Sequence, residues 1–219
     1  MILNCDMGEN ESAEFRIEIA PYLHAINIAC GGHAGDDFTM THCAMLAAEH
    51  QLFAGAHPGL AGNFGRVVVD LDVSDFLLLL ERQIGRLQSH LVEQKISLHH
   101  VKLHGALYHI SDQRWEIADA YITWMTQNHP TSLIVARSGG RVARLCEERK
   151  VPFWREGFLD RGYSDDGTLI PRGMPGALIS SEDEILLRWK HFPLLCETLC
   201  LHADGEHALN FAKRIRLGF

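Results

Sequence analysis

The stretch Asn27-Ile28-Ala29-Cys30-Gly31-Gly32-His33-Ala34-Gly35-Asp36 sets an imidazole and a carboxylate just behind an apolar run and two glycines. The same device recurs along the chain. Asn4, Asp6 and Glu9 follow the first apolar run, and His57 follows the third. Lys102 and His104 follow the fourth, Glu156, Asp160 and Arg161 the sixth, and His202 and Asp204 the last. Two chemistries use such a set. Neutral histidines and a carboxylate, with Asp6, His33 and His57 as the trio, would hold a divalent metal that polarises a carbonyl and activates water. Alternatively, carboxylates act as general acid and base while Lys102 or Arg161 steadies developing negative charge. Both suit hydrolysis of an amide-like bond. The sequence has no HExxH pair, no GxSxG elbow and no GxxxxGK[ST] phosphate loop.

Each of these residues also has a plain structural use. Asp36 and Asp204 precede helical patterns and fit N-caps. Strand-end histidines serve as structural donors, and Lys102 can lay its stem along apolar surface. Gly139-Gly140, ahead of a helix, resembles a phosphate-cradling turn, but a bare glycine pair is a weak signal. The joint pattern is what points to a site: almost every strand except the fifth ends in an ionisable residue, all at the same end.

Elements must carry these residues to one place. Strands are expected at residues 2–5, 25–30, 53–56, 99–103, 133–136, 152–155 and 198–201. Helical periodicity fills the intervals: Met40, Cys43, Ala44 and Ala47 mark one stripe, and Leu77, Leu80, Ile84, Leu87 and Leu91 another. A third runs through Ala118, Tyr121, Ile122 and Met125, and the last through Ala208, Phe211, Ala212 and Ile215. A helix to about residue 149 opens after Gly140, and Ser181 with Glu184 is a capping box. Regular βα alternation implies parallel strands, in an open sheet or a closed barrel. Side-chain alternation favours the barrel. Asn4 and Asp6 share a face with Ile2, His100 and Lys102 with His104, and Thr198 and Cys200 with His202. An open sheet buried on both sides has no use for such one-sided polarity.

The 219 residues fit one domain, 1–219, with 47% hydrophobic and 22% charged residues. Twenty basic against 28 acidic residues give a net charge of −8, which argues against nucleic acid or an anionic membrane as partner. No apolar run approaches membrane-spanning length. The first residues lack a signal-peptide pattern and the six cysteines are scattered, so a cytoplasmic protein with reduced thiols is expected.

These same strand ends resemble a known family. Leu3-Asn4-Cys5-Asp6-Met7-Gly8-Glu9 is similar to an LNxDxGE opening, and residues 27–36 to NIACGFHAGD. Gly55-Ala56-His57-Pro58 with Asn63-Phe64-Gly65-Arg66 resembles a third block, and residues 101–108 resemble VKPHGALY. Asp160-Arg161-Gly162-Tyr163, Asp166-Gly167 and Pro171-Arg172 match a sixth-strand loop, and Cys200-Leu201-His202-Ala203-Asp204 matches CxHGD. The family is LamB/YcsF, the A subunit of bacterial 5-oxoprolinase. The resemblance implies a (β/α)7 barrel, a TIM-like α/β fold related to NodB-type deacetylases. It also implies ATP-dependent opening of 5-oxoproline to L-glutamate with separate B and C subunits; with no GxxxxGK[ST] loop in this chain, ATP is expected to be handled largely by those partners. Carried over by position, Asp6, Glu9, Asp36, Lys102, Asp160, Arg161 and Asp204 would be catalytic. Asn4, Asn27, His104, Tyr108 and His202 would bind substrate. Departures fall in the pocket walls: Gly32, Leu103, His109 and Ala203 stand where the family has phenylalanine, proline, asparagine and glycine. They leave two further readings in play, a metal-dependent deacetylase-like hydrolase of small amides and a non-catalytic ligand-binding component. A homo-oligomer is compatible with all three.

Overall fold

Seven parallel strands close on one another in chain order. They are β1 (Ile2–Met7), β2 (Ala25–Ala29), β3 (Phe53–His57), β4 (His100–Lys102), β5 (Leu133–Arg137), β6 (Phe153–Phe158) and β7 (Thr198–His202). Strand β7 returns to β1 with Asn4 opposite Cys200 and Asp6 opposite His202. Around them lie α1 (Ala13–Ile19), α2 (Asp37–Glu49), α3 (Val73–Glu93), α4 (Gly105–Gln113), α5 (Trp115–Asn128), α6 (Arg141–Arg149), α7 (Glu182–Lys190) and α8 (Ala208–Leu217). The structure, a computed structural model, describes residues 1–62, 65–67, 70–165, 167–193, 195–203, 205 and 207–218. Asn63, Asp166 and Asp204 therefore lie outside the described residues. Among the described residues, no helix is long and apolar enough to cross a membrane.

The stripes read from the sequence bury as their periods require. Met40, Cys43, Ala44 and Ala47 on α2, and Ala208, Phe211, Ala212 and Ile215 on α8, all lie in the core. On α3 the buried row begins at Phe76 rather than Leu77, which is only partly covered. The outward faces of the strands, with Leu3, Cys5, Ile26, Ile28, Val101, Ile134, Leu199 and Leu201, pack beneath these helices. Sequence periodicity missed one helix. Strand β4 is shorter than expected, and α4 starts directly after His104, with Arg114 separating it from α5. Strand β5 also runs one residue further than expected, so the fifth strand does end in an ionisable residue, Arg137.

The barrel interior holds a hydrogen-bonded polar layer. Asn27 Nδ2 donates to Asn4 Oδ1 and to Asp6 Oδ1, both at 2.7 Å. His100 Nε2 donates to Asn27 Oδ1 at 2.7 Å, and Asn4 Nδ2 donates to Thr198 Oγ1 at 2.7 Å. Gly55 makes room for this, since a Cβ there would stand 2.1 Å from His100 Nε2. Buried polar groups that satisfy one another in this way fix a unique packing, whereas a single missing partner would cost the whole desolvation penalty.

Candidate functional site

Above this layer the barrel opens at the strand carboxyl ends into a cavity of about 910 Å³. Lys102 forms its floor. The ammonium lies 2.7 Å from Asp6 Oδ1, 3.0 Å from Glu156 Oε1 and 3.1 Å from Cys200 Sγ. Burial opposes the lysine charge, but Asp6 and Glu156 override it and hold the pKa well above the ordinary value. For Asp6, burial acts upward, yet His57 and Lys102 bring the carboxyl well below the usual range, so it is ionised. Glu156 also accepts from Tyr108 Oη at 2.9 Å.

Over this floor three imidazoles gather on one carboxylate. Glu9 Oε1 lies 2.9 Å from His33 Nε2, 3.2 Å from His104 Nδ1 and 3.7 Å from His57 Nε2. The His33 and His104 rings stack at 3.6 Å with an angle of 2° between them. His57 Nδ1 donates to the Lys102 carbonyl at 2.8 Å. A carbonyl can only accept, so in neutral His57 the Nε2 lone pair faces the cluster. Burial brings His33 down to about 4, which keeps it neutral near pH 7. Burial pushes Glu9 up, but its bonds to His104 and His33 win, and it stays ionised. The loop that presents Glu9 is tied by Glu11, which accepts from the Gly8 and Glu9 amides at 2.6 and 3.0 Å. Gly8, at φ 81°, supplies the left-handed turn.

The donor atoms of Glu9, His33, His57 and His104 lie within 4.8 Å of one another and could hold a divalent cation. The set fits on its chemistry: three imidazole nitrogens and a carboxylate oxygen suit zinc-like ions. The carbonyl behind His57 is the usual outer support of a ligating histidine. The trio read from the sequence is thereby redrawn. His33 and His57 converge, but Asp6 is held by Lys102 and Asn27 and stands 3.3 Å from His57 Nε2. A second group, Asp6, Cys200 and His202, also brings donors together. There the Lys102 ammonium already supplies the positive charge.

On the far wall, Asp160 grips His202. Oδ1 is 2.9 Å from His202 Nδ1, and Oδ2 accepts the His202 amide at 3.0 Å. Burial lowers the imidazole's pKa, but Asp160 more than compensates and the net shift is upward. Nδ1 is thus turned to Asp160 and Nε2 is the ring nitrogen left over, on a cavity-lining ring that stacks on Phe158 at 5.6 Å.

The remaining predicted residues separate clearly. Asp36 is an N-cap: its Oδ1 accepts from Thr39 N at 2.8 Å and Thr39 Oγ1 at 2.6 Å, and it does not line the cavity. Arg161 lines the cavity, but its Nε and Nη2 are spent on the Ala177 and Ile170 carbonyls, which straps the loop after β6. Arg188 in turn donates to the Arg161 carbonyl at 2.7 Å, with its guanidinium beside Tyr163 and Phe192. The turn at Gly139-Gly140 is taken up by a side chain. Asp112 fills it, accepting from Val142 N at 3.2 Å, and a Cβ on Gly140 would sit 2.5 Å from both carboxylate oxygens. Sequence reading missed Arg137 as a site residue and noted Glu156 without giving it a role. The signal for Arg137 was the alternation Leu133, Val135, Arg137, which carries the inner face of β5 one residue past the expected end.

Comparisons with known proteins agree with this fold. The LamB/YcsF family model matches residues 1–218. The A subunit of 5-oxoprolinase from Bacillus licheniformis is 36% identical, over 98% of this chain and 92% of its own length. A lactam utilization protein from Thermus thermophilus superposes with a TM-score of 0.88 at 29% identity, covering 99% of this chain and 94% of its own. A mutant CE4-family pseudoenzyme with restored activity shares the fold alone, with a TM-score of 0.51 at 8% identity over 99% of this chain and 61% of its own. The chain belongs to the LamB/YcsF family.

Proposed function

We propose that this chain is the ring-opening component of a 5-oxoprolinase, hydrolysing the lactam of 5-oxoproline to L-glutamate. The relatives' names support the substrate class. The observation that carries the reading is the pairing, in one cavity, of the Glu9–histidine cluster with the Asp160–His202 dyad. Amide hydrolysis needs a polarised carbonyl, an activated water and a proton for the departing nitrogen. Lys102 places positive charge near where the carbonyl oxygen develops charge. Asp6, ionised and opposite His57, orients the water and accepts its proton. His202, whose acid form Asp160 favours, donates a proton to the lactam nitrogen as the C–N bond breaks. A divalent cation held by Glu9, His33, His57 and His104 would supply Lewis acidity and lower the pKa of a bound water.

A five-membered lactam is an unstrained, resonance-stabilised amide, and coupling to ATP would supply a better leaving group at the amide oxygen. The phosphate-binding turn one would look for is filled by Asp112, which supports ATP use on separate B and C subunits. We place this assembly in the cytoplasm, in keeping with six free cysteines, five of them buried. The test is glutamate release from 5-oxoproline with ATP and the cognate B and C subunits. Release must require this chain and collapse in His202→Ala. No release, with the same B and C subunits working beside the corresponding chain of a relative, would sink the reading. The histidine cluster also favours a second reading, an ATP-independent metal amidase. Turnover without ATP or partners, abolished by chelation, would select it.

A further inference from the structure

We infer that Arg137 receives the carboxylate of the lactam, and so makes the site selective for an acidic lactam over a neutral one; this rests on the ring-opening reading above. The cavity of about 910 Å³ is far larger than a five-membered lactam needs, so something other than shape must hold so small a substrate in register. Its one permanent charge is a carboxylate, and the partner suited to it is a cation at the wall. Most of the cations there are already committed. Lys102 is bound to Asp6 and Glu156, His202 to Asp160, and Arg161 to two backbone carbonyls. Arg66 and Arg172 also line the cavity and have partners of their own.

Arg137 differs. Its Nε donates to Asp112 Oδ2 at 2.7 Å, and its side chain is 38% exposed. Among the described residues neither Nη makes a hydrogen bond. One edge of the guanidinium is therefore clamped and the other presents two parallel N–H donors to the cavity. Two such donors match the two oxygens of a carboxylate, and clamping Nε removes much of the entropy cost of presenting them. The clamp is itself rigid. Asp112 accepts from the first turn of α6 through Val142 N, and Arg141 Nε donates to its backbone carbonyl at 3.0 Å. Glu156, the register neighbour of Arg137, does not neutralise it, because Lys102, Asn4 and Tyr108 take its oxygens. His109 shares the wall, and both burial and the Arg137 charge keep it below its ordinary value, hence uncharged near pH 7.

The height fits as well. Lys102 is in register with Val135, and Arg137 lies two residues further along β5, about 6–7 Å toward the mouth. A lactam whose carbonyl lies over Lys102 would thus direct a ring substituent toward the guanidinium. Such a clamp separates 5-oxoproline from a plain γ-lactam. It also rejects a pyroglutamyl group at the end of a peptide, whose carboxyl is an amide.

The test compares 5-oxoproline with its uncharged carboxamide as substrates of the enzyme assembled with B and C subunits and ATP. Wild type should prefer the acid. Arg137→Gln should raise KM for 5-oxoproline roughly 10- to 100-fold with kcat unchanged, and leave kcat/KM for the carboxamide as it was. Arg137→Lys, which keeps the charge without the fork, should fall between the two. The carboxamide serves as the control for folding. Equal losses on both substrates, or an unchanged KM for 5-oxoproline in Arg137→Gln, would overturn the assignment. Wild type turning over neither lactam would overturn the ring-opening reading and this inference with it, an outcome distinct from an active wild type whose selectivity ignores Arg137.

Discussion

His100 and His57 stand on neighbouring strands and both face the inside of the barrel, yet one is spent and the other is not. His100 donates from Nε2 to Asn27 Oδ1, and its Nδ1 lies 3.2 Å from His99 Nδ1. Burial holds it well below its ordinary pKa, so it is a neutral strut. His57 uses one nitrogen on the Lys102 carbonyl and leaves the other among Asp6, Glu9 and His104. The two layers use the same residue types for opposite ends. At the floor, the amide protons of Asn4 and Asn27, both ring nitrogens of His100 and the hydroxyl of Thr198 are directed at neighbours, and the result is rigidity. At the mouth, several strong donors and acceptors converge with capacity left over, and leftover capacity is what a substrate or an ion can use. Lys102 belongs to both layers, which makes it the sharpest place to probe the difference.

Replacing Lys102 with alanine should have the largest effect. It strands Asp6 and Glu156 as buried, uncompensated carboxylates, so unfolding free energy should fall by about 3–5 kcal/mol in urea titration, with activity lost as well. A fully stable Lys102→Ala protein would mean that the floor is not a saturated network. Asp6→Asn keeps the shape and the Asn27 contact while removing the acceptor opposite His57. Turnover should drop roughly 10²- to 10⁴-fold while the protein stays folded, as circular dichroism would report.

Asp160→Asn acts one step further out and should cost roughly 10- to 100-fold in kcat/KM. Its signature is in the pH profile. Because Asp160 raises the His202 pKa, the acid form is present below that value and is lost as pH climbs through it, which gives an alkaline limb. Without the carboxylate, the main force opposing burial is gone and the limb should move to lower pH. A limb that stays in place would remove His202 as the proton donor. The smallest effect is expected at Asp36→Ala. Loss of the cap on α2 should lower the thermal midpoint by roughly 2–4 °C and leave kcat and KM untouched. Any clear loss of turnover there would return Asp36 to the site.

The sequence by itself determined the strands, their parallel order and the end at which chemistry gathers. Those features follow from local periodicity: alternation at period two put Asn4 with Asp6 and His100 with Lys102, and a polar inner face implied closure. It also supplied the family, through motifs that run in order along nearly the whole chain. What it could not resolve was which polar residues at the strand ends satisfy one another and which remain available, because that depends on partners brought together from distant positions. Asp36 and Glu9 look alike in sequence, each an acid in a glycine-containing loop after a strand. Tertiary structure bonds one to its own helix and surrounds the other with histidines from three other segments. Gly139-Gly140 offered a phosphate turn until Asp112, from a helix that leaves no strong periodic trace, filled it. Arg137 was hidden for the same reason. Its role depends on which of its nitrogens Asp112 leaves free, and a hydrogen bond across the fold carries no signature in the order of residues.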